Sequence, residues 1–211
     1  MKNISASLFA AGTLLLIGLT SAQADTVTYD FLALHPVTGD MGAGAMNFTP
    51  IGSPTLTASG FYLSGSAQDL YIKNGGVGES GLGLVADPAD HEIESTDFVQ
   101  LDLNNLLLAG FTNFTITLGS LQTGEGGTID LTNTAGTMTG ATFGQTLLGG
   151  AVTQSWSFTD TNKRYVDITG AGIAGGDVII ESLTTVPDGG MTVALLGGAL
   201  IGLVAFRRRF I

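Results

Sequence analysis

The chain of 211 residues contains no cysteine, which excludes disulfide bonds and thiolate metal sites. A hydrophobic core or bound ions must therefore stabilise its fold. Basic residues are also scarce, since only Lys73, Lys163 and Arg164 lie between residues 25 and 190, against eighteen acids. This balance of −15 disfavours nucleic acid and anionic lipid as partners and favours cations, of which calcium is the obvious one outside a cell.

Groups suited to catalysis are few as well. The chain has two histidines, His35 and His91, so neither a nucleophile with a paired base nor a zinc site is supported. The glycine-rich runs 39–44 and 170–176 match no phosphate-binding loop, because neither leads into a lysine and a helix. A glycosidase needs two carboxylates, for which Asp97 and Asp102 are candidates among many acids. We therefore expect no enzyme, and a glycoside hydrolase is the remaining enzymatic alternative.

The N-terminus has the layout of a secretory signal peptide. Lys2 precedes an apolar run at 8–19, and Ala22 and Ala24 form a small-residue cleavage site. Signal peptidase would cut after Ala24 and leave Asp25 as the mature N-terminus. A short transmembrane anchor is the alternative, but the run is shorter than the ~20 residues that a membrane span needs.

The C-terminus has three parts: a short motif, an uncharged apolar segment at 191–206 and a cluster of arginines. The apolar segment predicts a single transmembrane helix, with a buried core helix as the alternative. Arginines after the last apolar residue would hold that end in the cytoplasm and leave the preceding domain outside the inner membrane. The motif comprises Val186, Pro187, Asp188, Gly189 and Gly190, and the cluster comprises Arg207, Arg208 and Arg209.

This tail resembles the PEP-CTERM class of C-terminal sorting signals. Residues 186–190 are similar to the variant that reads V-P-D-S-G, with Gly189 in place of the serine. The resemblance implies that an exosortase, a membrane-embedded transpeptidase, recognises the motif and cuts near it. It also implies a Gram-negative source that makes exopolysaccharide and biofilm, and a final location at the cell surface or outside the cell.

Residues 25–185 are predicted to form one extracytoplasmic β-rich domain. Short runs rich in β-branched and aromatic residues alternate with Gly, Asn or Asp at hairpin spacing. Apart from the two terminal apolar segments, only 104–109 predicts a short helical turn. We expect a single all-β sandwich, jelly-roll-like, with a closed barrel as the alternative. The predicted strands are 26–34, 55–63, 69–73, 98–103, 113–121, 128–131, 138–143, 155–159, 164–169 and 177–183.

The most acidic stretch follows a glycine-rich run that begins at Asn74. Five acids fall directly before the strand predicted at 98–103. Oxygen-rich loops beside a rigid strand suit calcium, and a divalent ion would relieve the mutual repulsion of the acids. The alternative is a solvated acidic loop, because the spacing is not that of an EF-hand, and His91 is interpreted as a loop residue. The five acids are Asp87, Asp90, Glu92, Glu94 and Asp97.

The same stretch is similar to a recurring region of exported PEP-CTERM proteins, in which a G-L-G-V run is followed by an acidic loop and a strand. The matching residues are 81–84 and 90–94. Residues 165–169 and 175–178 resemble the closing strands of that group. This resemblance implies a β-sandwich without established catalytic residues.

These observations favour a structural or adhesive protein of the envelope or biofilm matrix. The alternative is a calcium-stabilised module that binds carbohydrate, such as exopolysaccharide. Such modules present exposed aromatic side chains to sugars, for which Trp156, Phe158, Phe61 and Tyr62 are candidates. Alternate positions on a strand suit the core equally well, so these aromatics have two interpretations.

Overall fold

The computed structural model describes residues 25–159, 162–171 and 176–187. Short strands dominate this part of the chain, and Thr26–Pro187 is one compact unit. The strands are β1 (Val27–Asp30), β2 (Gly39–Asp40), β3 (Ala45–Phe48), β4 (Leu56–Tyr62), β5 (Ala67–Gln68), β6 (Leu70–Asn74), β7 (Ser80–Leu84), β8 (Asp97–Asp102), β9 (Phe111–Gly119), β10 (Gly126–Thr132), β11 (Thr142–Leu148), β12 (Gln154–Thr159), β13 (Tyr165–Gly170) and β14 (Ile179–Pro187), and the helices are α1 (Phe31–Leu34) and α2 (Asn104–Leu108).

The strands form two antiparallel sheets. Sheet I has the order β12-β9-β14-β7-β6-β2, with β1 beside β14. Sheet II has the order β11-β10-β13-β8-β4-β3, with β5 beside β4. The predicted all-β sandwich is therefore confirmed, and the closed barrel is wrong because each sheet ends at free edge strands.

One hydrophobic core lies between the sheets. Alternate side chains of each strand point inward, as Ile116 and Leu118 do from sheet I and Val166 and Ile168 do from sheet II. The sheets approach closely at Gly127, where an added Cβ would lie 2.6 Å from a methyl carbon of Leu118. Glycine at this position is thus a packing requirement.

Most predicted strands are confirmed, as is the helical turn, which is α2. Residues 26–34 do not form one strand, because the carboxylate of Asp30 accepts a hydrogen bond of 2.9 Å from the backbone N–H of Ala33 and caps α1. The strand expected at 138–143 is also wrong. The chain turns at Gly140, which has a φ of +75°, and β11 begins only at Thr142.

The glycine-rich run that begins at Asn74 contains the buried strand β7, which the sequence pattern does not predict. Its side chains are small because neighbouring backbone crosses closely: a Cβ on Gly83 would overlap the carbonyl oxygen of His91. Glycine here permits a strand in a crowded position, and turn statistics alone predict a loop.

Sheet I includes the first residues of the predicted sorting motif. Val186 pairs with Asn113, and Pro187 pairs with Phe111. Within the described ranges, no helix is long and apolar enough to cross a membrane. The predicted span at 191–206, the rest of the motif, the arginine cluster and the predicted signal peptide lie outside the described residues.

Candidate functional site

The acidic stretch before β8 is tied into the fold by backbone hydrogen bonds. The carboxylate of Asp87 accepts from the N–H groups of Ala89 and Asp90, at 3.0 and 3.2 Å. The carboxylate of Asp97 accepts from the N–H of Glu94 at 2.9 Å. Asp87 is 7% exposed and Asp97 is 1% exposed, so these two acids hold turns and are not solvated side chains.

Glu92 turns away from the other acids and binds Lys73. The two side chains form a hydrogen-bonded ion pair, in which Glu92 is 2% exposed. Lys73 lies 3.4 Å from a second carboxylate, that of Glu79. The hydroxyl of Ser120 lies 2.7 Å from Glu92 and 3.0 Å from Glu79. A lysine on β6, remote in sequence, therefore neutralises the charge of one acid of the stretch.

The pKa of the Lys73 ammonium reflects this network. Burial acts to lower it, but the hydrogen bond and charge of Glu92 outweigh burial, with Glu79 adding to them, so the net shift is upward. Lys73 thus stays protonated, and we assign it no role as a base. The network links β6 and β7 to the turn at Ser120, whose backbone has the left-handed φ of +57°.

Three acids of the stretch remain near one another, and the structure adds a fourth. Burial raises the pKa of Asp97 to about 6, against the hydrogen bond from Glu94, and the charges of Glu94 and Asp87 raise it further. Burial also raises the pKa of Asp177, which feels Glu94 and Asp87 as well. Among the described residues, however, no three His, Asp or Glu side chains converge on a metal-binding geometry. Calcium binding stays a prediction.

Gln68 completes the buried end of this group. Its side chain is 5% exposed, and it lies close enough to lower the pKa of the Asp97 carboxyl. Neither amide atom of Gln68 meets hydrogen-bond geometry with another group. His91 lies beside the group with its ring stacked on Tyr71, 3.8 Å between centroids, in agreement with its interpretation as a loop residue.

The outer face of sheet II carries a second polar group that sequence reasoning missed. Asp130 on β10 lies directly opposite Asp167 on β13, and Asp167 lies opposite Gln100 on β8. These positions alternate with the inward core residues, so they belong to the outer face. Gln100 donates a hydrogen bond of 2.8 Å to one carboxylate oxygen of Asp167. The other oxygen is buried without a hydrogen-bond partner.

The row Asp130–Asp167–Gln100 is an electrostatically costly arrangement. Burial raises the pKa of Asp167 to about 7 against the hydrogen bond from Gln100, and the charge of Asp130 adds to the rise. Burial also raises the pKa of Asp130, opposed by a hydrogen bond from the backbone N–H of Gly144. Like charges directly opposite in a sheet destabilise it, so the pair favours a state that holds a proton.

The loop 133–141 between β10 and β11 covers part of this row. The side chain of Gln100 donates to the carbonyl of Thr134 at 3.2 Å and accepts from the N–H of Gly136 at 3.0 Å. An added Cβ on Gly136 would lie 3.2 Å from the ring of Phe61. Phe61 in turn stacks on Phe98, with 5.2 Å between ring centroids. The Gln100 end of the row is therefore closed by the loop.

The neighbouring part of the same face is more open. Arg164 makes two hydrogen bonds to the carboxylate of Asp102, at 2.9 and 2.6 Å, and lies 4.8 Å above the ring of Tyr165. Phe143, opposite Asp130 on the edge strand β11, is 64% exposed. Polar groups, a guanidinium and an exposed aromatic ring thus share one face of the sheet.

The four aromatic residues considered as a sugar platform do not form one common surface. Trp156 and Phe158 stack on each other at 4.7 Å and pack against the core, as the alternative interpretation expects. Phe61 lies on the outer face of sheet II, and Tyr62 follows it on the other side of β4. Asp97 and Asp102 do not suit a glycosidase, because they lie five positions apart along β8, which separates them by ~16 Å and places them on opposite faces.

Comparison with known families bears on the tail alone. Residues 185–210 match the family model described as the VPDSG-CTERM motif. The tail matches a sorting motif of the PEP-CTERM type. The predicted resemblance is thereby confirmed for the motif, and β14 runs into the matched segment. No curated protein matches the chain in sequence.

Three solved structures show a remote likeness to this chain. A family 29 carbohydrate-binding module from Piromyces equi is 9% identical, with a TM-score of 0.38, and covers 79% of this chain and 92% of its own. The adhesin domain of Lys-gingipain is 10% identical, with a TM-score of 0.33, and covers 79% and 95%. The modules of xylanase 10B from Clostridium thermocellum, solved with xylohexaose, are 10% identical, with a TM-score of 0.31, and cover 71% and 28%. These values establish no shared ligand.

Proposed function

We propose that this chain is an exported protein that an exosortase processes at its C-terminal motif, and that its sandwich has a structural or adhesive role at the cell surface or in the biofilm matrix. The match of residues 185–210 to the sorting motif carries the proposal. In this account signal peptidase removes residues 1–24, and the apolar segment 191–206 anchors the chain in the inner membrane until the exosortase acts.

Cell fractionation tests the anchoring step. A chain that lacks residues 191–211 should leave the membrane fraction even when the exosortase is deleted, because the remaining domain has no other apolar segment of that length. The full chain should stay with the membrane in the same cells. Replacing Arg207, Arg208 and Arg209 with serine should weaken retention, because the cytoplasmic end loses its anchor. Identical fractionation of full and truncated chains would refute the anchor.

A structural role is favoured by how the side chains of the domain are used. The buried carboxylates cap turns or pair with side chains of other strands, as Glu92 does with Lys73. Asp102 is held by Arg164. Groups that hold strands together in this way stabilise a scaffold.

Carbohydrate binding is the second candidate, and the outer face of sheet II favours it. Sugars are bound by aromatic rings together with amide and carboxylate groups, and this face offers Phe143, Asp102 and Arg164 near the Asp130 end of the row. A polysaccharide would contact the open part first, since the loop 133–141 closes the end at Gln100.

Affinity electrophoresis in gels that contain the organism's own exopolysaccharide tests this candidate. Carbohydrate binding predicts retarded migration that Phe143→Ala and Asp130→Asn reduce and that Val37→Ala, at another exposed apolar residue, leaves unchanged. Unretarded migration of the unsubstituted protein would contradict carbohydrate binding, and the structural role would then be the remaining candidate. Calcium, in this account, stabilises the module through Asp87, Glu94, Asp97 and Asp177 and takes no part in catalysis.

A further inference from the structure

One side of the sandwich ends in two long edge strands. β12 closes sheet I and β11 closes sheet II, with six and seven residues. The edge strands at the other side are shorter, with two residues in β2 and four in β3. Edge strands expose unpaired N–H and C=O groups, and proteins usually protect them by shortness, proline or charge. β12 has none of these protections, whereas the pairing of β11 with β10 is interrupted by a register shift between Ile129 and Asp130.

Both edge strands on this side are uncharged although the domain is strongly acidic. No Asp, Glu, Lys, Arg or His occurs between Leu131 and Thr159, a stretch that includes both edge strands. Two copies of a domain with fifteen excess acids repel each other over most of their surface. Because β12 itself carries no acid, pairing of two copies along this strand brings no strand carboxylates together, which keeps the repulsion between copies low there.

Exposed apolar side chains flank the edge. Leu148 at the end of β11 is 60% exposed, and Val152 in the turn to β12 is 50% exposed. Val77, next to the Gly78 that contacts Val152, is 98% exposed. Apolar groups beside an unpaired strand gain by burial when a second strand pairs there.

The side chains on both faces of β12 suit the pairing of a further strand at its free edge. Ser155, Ser157 and Thr159 are exposed on its outer face, while Trp156 and Phe158 point inward and are partly buried. The outer hydroxyls already form rungs with β9, as Ser157 does with Thr115 at 2.8 Å. A further strand placed beside β12 would continue both layers without burying a charge.

We propose that β12 pairs antiparallel with β12 of a second copy of this chain, which joins the two copies of sheet I into one continuous sheet. A two-fold axis between the two β12 strands makes this contact self-complementary, so one surface serves both copies. The contact gives the proposed structural role a physical basis. It concerns the domain alone and holds whether or not the tail is processed.

The absence of cysteine makes a clean test possible. Ser155→Cys, Ser157→Cys and Thr159→Cys are introduced one at a time into the full chain, expressed in its own host, and cells are treated with a mild oxidant. Two cysteines form a disulfide only when their Cα atoms lie within about 7 Å. Ala45→Cys is the matched control, because Ala45 is exposed on the edge strand β3 of the other side.

The two-fold axis fixes the expected pattern. When the axis lies beside one of the three substituted positions, the two copies of that residue face each other. That variant alone then forms a dimer of twice the mass. When the axis lies beside Trp156 or Phe158, the dimer forms only in cells that co-express the two variants flanking that residue. Either pattern supports the proposal. The proposal is overturned if no position or combination exceeds the Ala45→Cys control, or if the β12 cysteines link only to other proteins.

A second substitution separates pairing from random collision. Adding a lysine at an outer position of β12 that carries no cysteine (Ser157→Lys, or Ser155→Lys where position 157 carries the cysteine) places a charge on the exposed face of the edge and should abolish the dimer, whereas adding Ala45→Lys should leave it intact. These positions are all exposed, so the variants should fold, which resistance to protease verifies. A dimer that persists with the added lysine on β12 would overturn β12 pairing. Deletion of the exosortase should leave the dimer unchanged. A failure of the sorting proposal can therefore be distinguished from a failure of β12 pairing.

Discussion

The hydroxyl of Thr185 donates a hydrogen bond of 3.0 Å to the backbone carbonyl of Asn113. Thr185 is the first residue of the matched motif and is 0% exposed. On its other side it pairs with Val27, close to the predicted mature N-terminus. The matched segment therefore begins inside sheet I, and its first residues belong to the folded domain.

The Thr185 contact predicts a modest loss of stability on substitution. Thr185→Val removes the donor but keeps the shape, so the free energy of unfolding should fall by about 1 kcal/mol and the melting temperature by about 2–4 °C. Thr184→Val is the control, because the Thr184 hydroxyl contacts only the exposed Thr28. Equal melting temperatures for Thr185→Val and the unsubstituted protein would mean that the motif is not anchored in the sheet.

The Lys73–Glu92 pair predicts a large, reversible effect. Lys73→Met leaves a buried carboxylate without its counter-ion, which should cost about 3–5 kcal/mol. Adding Glu92→Leu should restore most of the loss, because the pair is then replaced by apolar groups. Chemical denaturation of the single and double variants measures both values, with Lys163→Met as the control. A single variant that is as stable as the parent would contradict the buried ion pair.

Asp167 predicts a specific dependence of stability on pH. Its pKa is about 7 in the folded protein, against the usual 3.8, so between these values the folded state holds a proton that the unfolded chain releases. The free energy of unfolding should therefore fall as pH rises from about 4 to about 7. Asp167→Asn cannot ionise and keeps an acceptor for Gln100.

The measurement is the melting temperature of both proteins across this pH range. The asparagine variant should melt higher than the parent at pH 8 and match it near pH 4, since each pKa unit corresponds to about 1.4 kcal/mol. Asp97, with a pKa of about 6, adds a similar fall to both proteins, which the comparison removes. Parallel curves for the two proteins would show that ionisation of Asp167 does not lower the free energy of unfolding.

Calcium predicts a further gain in stability. At ten times a dissociation constant of about 10⁻⁴ to 10⁻³ M, calcium should add about 1.4 kcal/mol. The combined change Glu94→Gln and Asp177→Asn should abolish that gain, while Asp40→Asn should keep it. Glu92 is unsuitable for this test because its loss breaks the Lys73 pair. Melting that is identical in calcium and in chelator would leave the acids as turn-forming groups only.

The sequence predicts the sandwich because most strands alternate visibly, as β12 does with its serines and aromatics. It fails at β7, where Gly81 and Gly83 serve close packing and resemble turn residues. The partner of Glu92 is also invisible in sequence, because Lys73 lies nineteen residues away and meets it only through strand pairing. Likewise, Asp130 and Asp167 face each other only once the register of β10 and β13 is known.

Mass spectrometry of the mature protein tests the central claim most directly. Protein recovered from the cell surface or medium should begin at Asp25 and end within or next to residues 186–190, without Arg207, Arg208 and Arg209. Deleting the exosortase should restore the complete tail to Ile211. Surface-located protein that retains Met1, or that keeps Ile211 in cells with an active exosortase, would contradict the account.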